Sequence, residues 1–543
     1  MVPPRIAGLF LHSSFLLLHS SQAAFDLFSS RQLAKCLNNE TCDWSLDPKR
    51  LFSAMIQRLH QLRRWAGVDR AVFFSNAAQM IRLVTGPLTM ALVLKYLTPE
   101  VQGYFYAFAG VVAMQVFLEM GFSQNILQFA SHEYAKLHFT GNGTLEGDAT
   151  AKSRLISLGR LAFRYYAIAG AIFLVAVGIG GHIFFTVSSH HPVAAALGHP
   201  AAEASGVLQP VVWQGAWWII ALTASLALAV NPAWSLLEGC NQVALVAQFR
   251  FWAALAVFGS NALALVLHAG IYVAAIGAVC NLLFSLAYLL IRWRPFFLQF
   301  LGRPRHGSVS WRHEIWPFQW RIAVSWMSGY FVFDIVVPVA FYFCGAVDAG
   351  RLGMSLQLVN MIARVAQTWI GTKAPRFGML IASRAWNELD KLWRRSTFQA
   401  FGFYLLGYAC FLGCLWMLGH VAAVKTVPLV GHFLVKIPAR LAPIQTNAWL
   451  GGAMIAQVLV NSMACELRAH KQEPYVWISF ATAVLSMAFI LPMTWLCGIT
   501  GESMGYAAAI WAVLLPAWRV YDVKRIEYRL LQNPECFPSV SGA

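Results

Sequence analysis

The sequence predicts an all-α polytopic membrane protein with about 12 transmembrane helices in two six-helix bundles. Two observations carry this prediction: apolar segments long enough to span a bilayer recur along the whole chain, and basic residues concentrate in alternate loops between them. Apolar residues occupy 58% of the 543 positions and charged residues only 12%, which excludes a soluble domain because such a domain could not bury so much apolar surface. The net charge of +17 does not indicate binding of nucleic acid, since the basic residues are spread between apolar segments rather than gathered in one patch.

A transmembrane helix needs about 20 predominantly apolar residues, and twelve segments meet this requirement. The predicted first bundle, residues 71–293, contains the first to sixth spans at 71–97, 101–130, 161–188, 210–237, 249–268 and 270–292. The predicted second bundle, residues 317–520, contains the seventh to twelfth spans at 317–343, 350–375, 398–422, 443–465, 475–497 and 503–520. A basic cytoplasmic linker at 294–316 joins the bundles, and a cytoplasmic tail follows at 521–543.

Residues 1–70 precede the first span and are predicted to form a cytoplasmic lead-in. Within them, 51–70 is basic and amphipathic, whereas 1–50 does not fit the plan of the rest. The apolar run from Ile6 to His19 is compatible with a signal-like segment, but no soluble exported domain follows it. We therefore interpret 1–50 as an over-long gene start that the protein does not need.

The positions of Lys and Arg predict the orientation, because cytoplasmic loops carry an excess of these residues. The loops assigned to the inside are rich in them, and the segments assigned to the outside contain only Lys425, Lys436 and Arg440. With an even number of spans, this places both termini in the cytoplasm.

The two halves of the chain follow one plan. Each begins with two helices joined by a very short outer turn, and each second helix leads into a long basic inner loop. Related hexapeptides stand at the ends of the fourth and tenth spans, LEGCNQ at 237–242 and LRAHKQ at 467–472. Repeats related by an axis along the membrane normal are typical of transporters, whose substrate pathway lies between the halves.

Polar residues at helical spacing mark the predicted pathway. In the second span, Gln115, Glu119 and Ser123 recur every four residues and are predicted to share one helix face. Five other spans carry comparable stripes: Gln79, Arg82, Gly86 and Thr89 in the first; Asn231, Ser235 and Glu238 in the fourth; Arg321, Ser325 and Ser328 in the seventh; Gly353, Gln357, Asn360, Arg364, Gln367 and Gly371 in the eighth; Gln457 and Asn461 in the tenth. Small and amide side chains often serve only to join helices, so the uncharged residues alone favour a packing role.

Two arginines at mid-depth favour a functional role. Arg82 and Arg364 lie near the middle of their spans, where an unpaired cation is costly. Arg82 can form a buried ion pair with Glu119, and Arg364 with Asp334. Alternatively, either guanidinium group lines a wet cavity and binds phosphate in bidentate fashion, and both uses can coexist. The candidate substrate-binding residues are Arg82, Glu119, Arg321, Asp334, Asn360, Arg364 and Gln367.

The start of the seventh span reads WPFQWRIAVSW at 316–326 and is similar to the seventh-span signature of bacterial polysaccharide-export proteins. Further segments fit the same pattern: EMG at 119–121, FASHE at 129–133, SGY at 328–330, AG at 349–350, GMS at 353–355, TW at 368–369 and LRAHKQEP at 467–474. Over residues 70–520 the chain therefore resembles the Wzx-like O-antigen and exopolysaccharide translocases of the MOP (multidrug, oligosaccharidyl-lipid, polysaccharide) flippase superfamily.

This resemblance implies a MATE-like fold, in which two six-helix bundles enclose a central cavity and rock between inward and outward openings. It implies a polyprenyl-diphosphate-linked oligosaccharide as cargo, moved across the bacterial inner membrane. The coupling ion would be H⁺ or Na⁺, and the partners would be the polymerase and chain-length machinery of the same pathway. The residues agree with such a cargo independently, because an anionic diphosphate and a polar glycan need a wet, cationic passage. The candidate site residues rest on the polar stripes and are not carried over from the family.

Two functions from other classes fit the sequence less well. A MATE-type exporter of small cationic drugs would need an excess of membrane-embedded acids, whereas Glu119 and Asp334 are outnumbered by arginines. A membrane enzyme acting on lipid-linked sugars usually needs a large outer loop or an acidic catalytic pair, and the outer segments at 189–209 and 423–442 contain only Glu203 as an acid. We therefore predict no catalytic residues and no cofactor. The ten cysteines lack metal-ligand spacing, so no metal site is predicted either.

Overall fold

The structure is a computed structural model that describes residues 70–141, 143–190, 211–302, 307–420, 436–470 and 474–531. The lead-in at 1–69, the outer residue Lys425 and the end of the tail at 532–543 lie outside the described residues. What the sequence predicts for them stays a prediction.

Six helices form the first half of the described chain, and each lies over a predicted span. They are α1 (Arg70–Tyr96), α2 (Pro99–Val112), α3 (Ala149–Phe173), α4 (Gln214–Gly239), α5 (Val243–Val266) and α6 (Tyr272–Arg292). Shorter segments extend two of them: α2 continues through Ala113–Gln115, Val116–Glu119 and Phe122–Tyr134, and α3 continues through a π-helical turn at Leu174–Gly178 into Ile179–His190. A small antiparallel hairpin that the sequence analysis did not predict, β1 (Leu137–Phe139) and β2 (Leu145–Gly147), lies between α2 and α3.

The second half repeats this arrangement. Its helices are α7 (Trp316–Phe333), which continues after a bend of 40° as Val336–Cys344, α8 (Ala346–Gly371), α9 (Trp386–His420) and α10 (Ile444–Ala469). The last assigned helix, Val476–Leu531, consists of α11 at 476–496 and α12 at 499–531, which meet at the non-helical residues Cys497 and Gly498. Short helical segments connect these elements: Arg294–Leu298, Gln299–Leu301 and Trp311–Ile315 in the linker, Ala374–Ala382 after α8, and Lys436–Arg440 before α10.

Among the described residues, nine helices are long and apolar enough to cross a membrane, and the two parts of α7 together make a tenth. Val476–Leu531 counts once among the nine, although its break makes it two passes. α8 has 26 residues, but Asp348, Arg351 and Arg364 lower its apolar character. With α8 and the second pass included, the described helices coincide with the twelve predicted spans. The all-α polytopic fold is confirmed.

Three helices begin or end well outside their predicted spans: α3, which begins at Ala149 instead of 161, α9 and α12. α9 begins at Trp386 instead of 398, and α12 runs to 531 instead of 520. An ionic cluster holds these polar ends: Arg525 and Arg529 of α12 pair with Asp390 of α9 and approach the fully buried Glu466 of α10. The carboxylates of Asp390 and Glu466 thus offset the cost of burying the two guanidinium groups. Because of this cluster, α9 and α12 continue beyond the apolar segments from which their spans were predicted.

The second span is interrupted, which the sequence analysis did not predict. Met120 and Gly121 adopt positive φ angles of 48° and 66°, and the helix ends at Glu119. Glycine fits this place because a Cβ on Gly121 would lie only 2.4 Å from a side-chain carbon of Ile322 on α7. Ser123 lies on the next helix, so the expectation that it continues the face of Glu119 was wrong.

The two halves meet along α2, which packs against both α8 and α7. We call the end near the turns from α1 to α2 and from α7 to α8 the outer end, after the predicted orientation, and the opposite end the inner end. At the outer end the backbones of α2 and α8 touch. A Cβ on Gly103 would lie 1.8 Å from the Ala346 carbonyl oxygen, and a Cβ on Gly350 would lie 2.8 Å from the Gly103 nitrogen. Only glycine permits this approach, which closes the outer ends of the two halves against each other.

A set of hydrogen bonds, the outer clasp, spans this contact. It consists of Gln102 on α2, Arg440 before α10, and the backbone carbonyls of Leu97 and Gly350. The Gln102 amide donates to the Gly350 carbonyl at 2.8 Å, and the Arg440 guanidinium donates to the Leu97 carbonyl at 2.6 Å. Arg440 also donates to the Gln102 side-chain oxygen at 3.2 Å. The clasp therefore joins two elements of the second half to the first outer turn.

The end of the linker is fixed to the first half. Arg154 on α3 forms ion pairs of 2.7 Å with Glu133, on the continuation of α2, and with Glu314 in the linker. The Ser310 backbone N–H donates to the Glu314 carboxylate at 2.9 Å. This hydrogen bond, together with Arg154, lowers the pKa of Glu314. The linker thus follows the surface of the first bundle until it reaches α7.

Candidate functional site

The first bundle contains a partly open cavity of about 720 Å³. Its walls come from α1, α2, α4, α5 and α6, and most of the lining residues are apolar. The polar lining residues are Arg82, Thr85, Thr89, Asn231, Arg250, Asn261, Asn281 and Ser285. The sequence predicts a pathway between the halves, whereas this cavity lies within the first one.

Arg82 presents its charge to this cavity. Its side chain is exposed, and it forms no ion pair with an acid in the part of the chain that the structure describes. Glu119, the partner suggested by the sequence, instead accepts a hydrogen bond from the Asn231 amide at 3.0 Å. Because Asn231 lines the cavity, it holds Glu119 at the cavity edge while Arg82 stays unpaired.

The second arginine of the lining is already paired. Arg250 on α5 forms an ion pair of 2.7 Å with Glu238 near the end of α4. Asn231 and Glu238 are two helical turns apart on α4 and therefore lie on one face. Among the described lining residues, Arg82 is thus the cation whose charge is free to interact with a ligand.

Apart from the buried Gly353, the polar stripe of α8 lies on the less buried side of that helix. The neighbouring face, about 100° around the helix, consists of buried residues, namely Leu352, Leu356, Val359, Ala363, Ala366 and Ile370. Gln357 and Arg364 are exposed, and Asn360 and Gln367 are partly buried. This amphipathic division directs the stripe away from the core of the second bundle, and none of the stripe residues lines the first-bundle cavity.

Asp334 lies at the bend of α7, between its two helical parts. It lies within electrostatic range of Arg364, but the two side chains form no direct ion pair among the described residues. The Asp334 backbone carbonyl packs on α2, where a Cβ on Gly110 would lie 3.0 Å from its oxygen. Asp334 therefore belongs to the contact between the halves.

Arg82 and Arg364 lie at a similar level in the two halves. The helices α1 and α8 approach each other where a Cβ on Gly86 would lie 3.8 Å from the Met361 sulfur. Arg82 precedes Gly86 by four residues on α1, and Arg364 follows Met361 by three residues on α8. Since the predicted topology runs these helices in opposite directions, both arginines lie about 5 Å to the inner side of that contact, at a rise of about 1.5 Å per residue.

Arg321 is separate from this pair. It lies near the start of α7, is exposed, and places its guanidinium over the Trp320 ring at 5.5 Å. Its neighbour Gln319 donates to the Met120 carbonyl at 2.7 Å, at the break in the second span. The structure thus places Arg321 near the inner contact between α7 and the continuation of α2.

The polar residues of the fifth and sixth spans are not among the polar stripes predicted from the sequence. Gly277, Asn281 and Ser285 recur every four residues on α6 and face the cavity. Gly277 lets α5 approach, because a Cβ there would lie 2.2 Å from the Asn261 side-chain oxygen. This spacing was visible in the sequence, but the strongly apolar composition of both spans concealed it.

No protein-family model matches the chain, and no curated protein matches it either. The chain does match solved structures. The chain is similar to a multidrug resistance MATE family transporter of the MOP superfamily in an inward-facing conformation, with 14% identity, a TM-score of 0.52, and coverage of 85% of this chain and 100% of that one.

Two further structures have TM-scores of 0.46: a MOP superfamily transporter from Pyrococcus furiosus Vc1 (13% identity, 86% of this chain, 96% of the other) and the lipid II flippase MurJ in an inward closed conformation (11% identity, 86% and 94%). Only the first similarity exceeds 0.5, and the fold rests on it. The chain has the MATE-like fold of MOP superfamily transporters, as the sequence resemblance implied, and it is a multi-pass membrane protein.

Proposed function

We propose that the protein moves a polyprenyl-diphosphate-linked oligosaccharide across the bacterial inner membrane by alternating access, for synthesis of a cell-surface polysaccharide. The observation that carries this proposal is Arg82, an unpaired guanidinium facing a cavity inside a MATE-like fold. A charged side chain within a transmembrane helix is costly and marks a functional site unless it has a partner. The ligand that would complement the unpaired guanidinium of Arg82 is an anion.

A diphosphate group fits this arrangement chemically. The guanidinium of Arg82 presents paired donors that match two phosphate oxygens, while the amides and hydroxyl groups of the lining suit a glycan. The lipid tail can stay in the bilayer. A cationic drug fits less well, because Glu119 is engaged by Asn231 and Arg82 would repel the drug.

Arg364 provides a second contact from the other half. It is exposed on α8, at a level close to that of Arg82 on α1. A diphosphate has two phosphoryl groups, so it can engage one arginine from each half when the halves close around it. Binding of the cargo would then favour one arrangement of the halves over the other, which alternating access requires.

Equilibrium binding of a radiolabelled polyprenyl diphosphate to the purified protein in lipid nanodiscs tests this proposal. Arg82→Lys keeps the charge but removes the bidentate fork. A charge-assisted hydrogen bond contributes about 1.5–3 kcal/mol, so we expect affinity to fall roughly tenfold to a hundredfold. Arg376→Lys is the matched control, since Arg376 is exposed and lies outside the site. Equal affinity in Arg82→Lys and wild type, or tighter binding of a quaternary ammonium compound, would refute the proposal.

The role of Arg364 is tested by complementation of a strain that lacks the gene. Arg364→Ala and the double variant Arg364→Ala/Asp334→Ala should both be present in the membrane at normal abundance and fail to restore the surface polymer. If Arg364 served only to balance Asp334, removing both would restore export, because no unpaired acid would remain. Recovery in the double variant would therefore exclude Arg364 from cargo binding.

A further inference from the structure

Glu502 is a buried acid that the proposed cargo site does not use. It lies near the start of α12, four residues after Gly498, where α11 ends. Its side chain is 0% exposed, and neither carboxylate oxygen has a hydrogen-bond partner among the described residues. An ionised carboxylate in such a place is strongly disfavoured, because it has lost its hydration and gained no compensating contact.

The surroundings of Glu502 are tightly packed. α12 lies backbone to backbone on α11: a Cβ on Gly501 would be 2.0 Å from the Met493 carbonyl oxygen, and one on Gly505 would be 2.6 Å from the Phe489 carbonyl oxygen. The nearby hydroxyl group of Ser503 donates to the Thr500 carbonyl at 2.8 Å and not to Glu502. Gly501, Glu502 and Ser503 are accordingly all buried at the start of α12.

The titratable groups of the neighbouring helices do not supply a positive charge. Cys344, at the end of the second part of α7, lies within electrostatic range of Glu502. Tyr506 follows one turn later on α12 and is buried with its hydroxyl group unpartnered. Tyr404 of α9 lies near Tyr506 but donates to the Gly451 carbonyl of α10 at 2.8 Å. Asp348 of α8, near Cys344, is paired with Arg351 at 3.1 Å.

We propose that Glu502 is a proton-binding site, which takes a proton from the outer water when the outer end opens and retains it while the outer end is closed. A proton fits better than a metal cation. A cation needs several oxygen ligands, whereas among the described residues no cluster of three or more acids, cysteines or histidines lies here, and the Glu502 oxygens have no polar neighbour in hydrogen-bond contact.

Access to Glu502 is from the outer end. On the inner side, the buried face of α12 continues through Ile510, Val513 and Ala517 to Tyr521, and these three apolar side chains offer no relay for a proton. On the outer side, the Val336–Cys344 segment covers the region, and it packs both on α11–α12 and on α2 of the first half. Movement of this one segment would open the contact between the halves and let water reach Glu502.

The proton and the closure of the outer end are therefore linked. Closing with an ionised Glu502 would bury an uncompensated charge, so closure requires the proton, and by reciprocity the proton favours closure. An acidic outer medium would thus drive the protein back to the closed form after cargo leaves. This consequence rests on the proposed transport function, whereas proton binding itself does not.

Infrared difference spectroscopy of the full-length protein in lipid nanodiscs tests for the proton directly. Near neutral pH, the wild type should show the carbonyl stretching band of a protonated carboxyl group, with slow exchange in heavy water. The band should be absent in Glu502→Gln and shifted in Glu502→Asp, which keeps an acid at the position. Glu388→Gln makes the same chemical change at an exposed carboxylate and should leave the band unchanged.

Two results would overturn the proposal: an identical band in wild type and Glu502→Gln, or loss of the wild-type band when sodium replaces potassium, which would indicate a sodium site. The aspartate variant keeps the test decisive if the glutamine variant does not fold. This readout needs no cargo. If the band behaves as expected but polyprenyl diphosphate does not bind, the proton site stands and the cargo assignment fails.

Discussion

Gly103→Ala should force the outer end open. A Cβ at this position would lie 1.8 Å from the Ala346 carbonyl oxygen and 2.8 Å from the Ala346 Cα. Non-bonded atoms ordinarily lie about 3.5 Å apart, so the helices α2 and α8 would have to separate by roughly 1.5 Å. The clash is with backbone atoms, which cannot rotate away as the end of a flexible side chain can.

The magnitude follows from two contributions. Overpacking of a close contact typically costs about 1–3 kcal/mol. The separation also lengthens the hydrogen bond of 2.8 Å from Gln102 to the Gly350 carbonyl, and a hydrogen bond of this kind contributes about 0.5–1.5 kcal/mol net. The closed outer end should therefore lose about 2–4 kcal/mol, which shifts its population roughly 30- to 1000-fold relative to an open form.

Distances between spin labels at positions 100 and 347, near the outer ends of α2 and α8, report this shift in a variant whose native cysteines have been replaced. Gly103→Ala should lengthen the main distance. The control is Gly402→Ala on α9, where no neighbour lies within 4 Å of the new Cβ; alanine in a helix is favoured there by about 0.5–1 kcal/mol. If Gly103→Ala gave the same distances and melting temperature as the control, the outer contact would not be the closure that we describe.

Three further predictions concern the inner end of the protein and its orientation in the membrane. The pKa of Glu314 is lowered by the Ser310 N–H and by Arg154, so its contribution to stability is present above the unfolded carboxyl pKa of about 4.3 and is lost as the pH falls through the lower folded value. Thermal melting should show this acid loss in wild type and less of it in Glu314→Gln. Gly121→Ala should lower the melting temperature, because its φ of 66° costs an L-residue about 1–2 kcal/mol and Ile322 obstructs the new methyl group, whereas Gly259→Ala, with open space around it, should not. Cysteines placed in the loops at 131–160 and 293–316 should stay unlabelled by a membrane-impermeant reagent in intact cells, and strong labelling there would reverse the orientation.

The helices could be predicted because apolar length alone specifies a transmembrane span. The hydrogen-bond partners of the polar side chains could not be predicted from the sequence. The sequence suggested Arg82 as the partner of Glu119, whereas the packing of α4 against the second span brings the Asn231 amide to 3.0 Å from its carboxylate. The need for glycine at position 121 depends likewise on Ile322, which a Cβ there would meet and which lies about two hundred residues away along the chain.

Charged residues were predicted unevenly. Arg82 and Arg364 attract notice because they interrupt apolar spans at mid-depth, and the structure leaves both exposed. Glu502 lies just before the predicted twelfth span, where an acid is ordinarily solvated. It is buried because Gly501 and Gly505 let α12 pack closely against the backbone of α11. The sequence contains these glycines, but what they approach can be known only from the structure.

The anchored linker determines where the two halves can turn relative to each other. Because Arg154 holds Glu314 on the first half and Gln319 donates to the Met120 carbonyl, the start of α7 is tied to the first half, which would put the pivot of a relative turn near the inner end. The two parts of α7 contain 18 and 9 residues, a lever arm of about 40 Å at 1.5 Å per residue. A rotation of about 10° would displace its far end by roughly 7 Å on that lever, well beyond the 2.6–2.8 Å reach of the outer clasp. A small rotation about the inner end would thus separate the two sides of the outer clasp, while the ion pairs of Arg154 at the pivot stay intact.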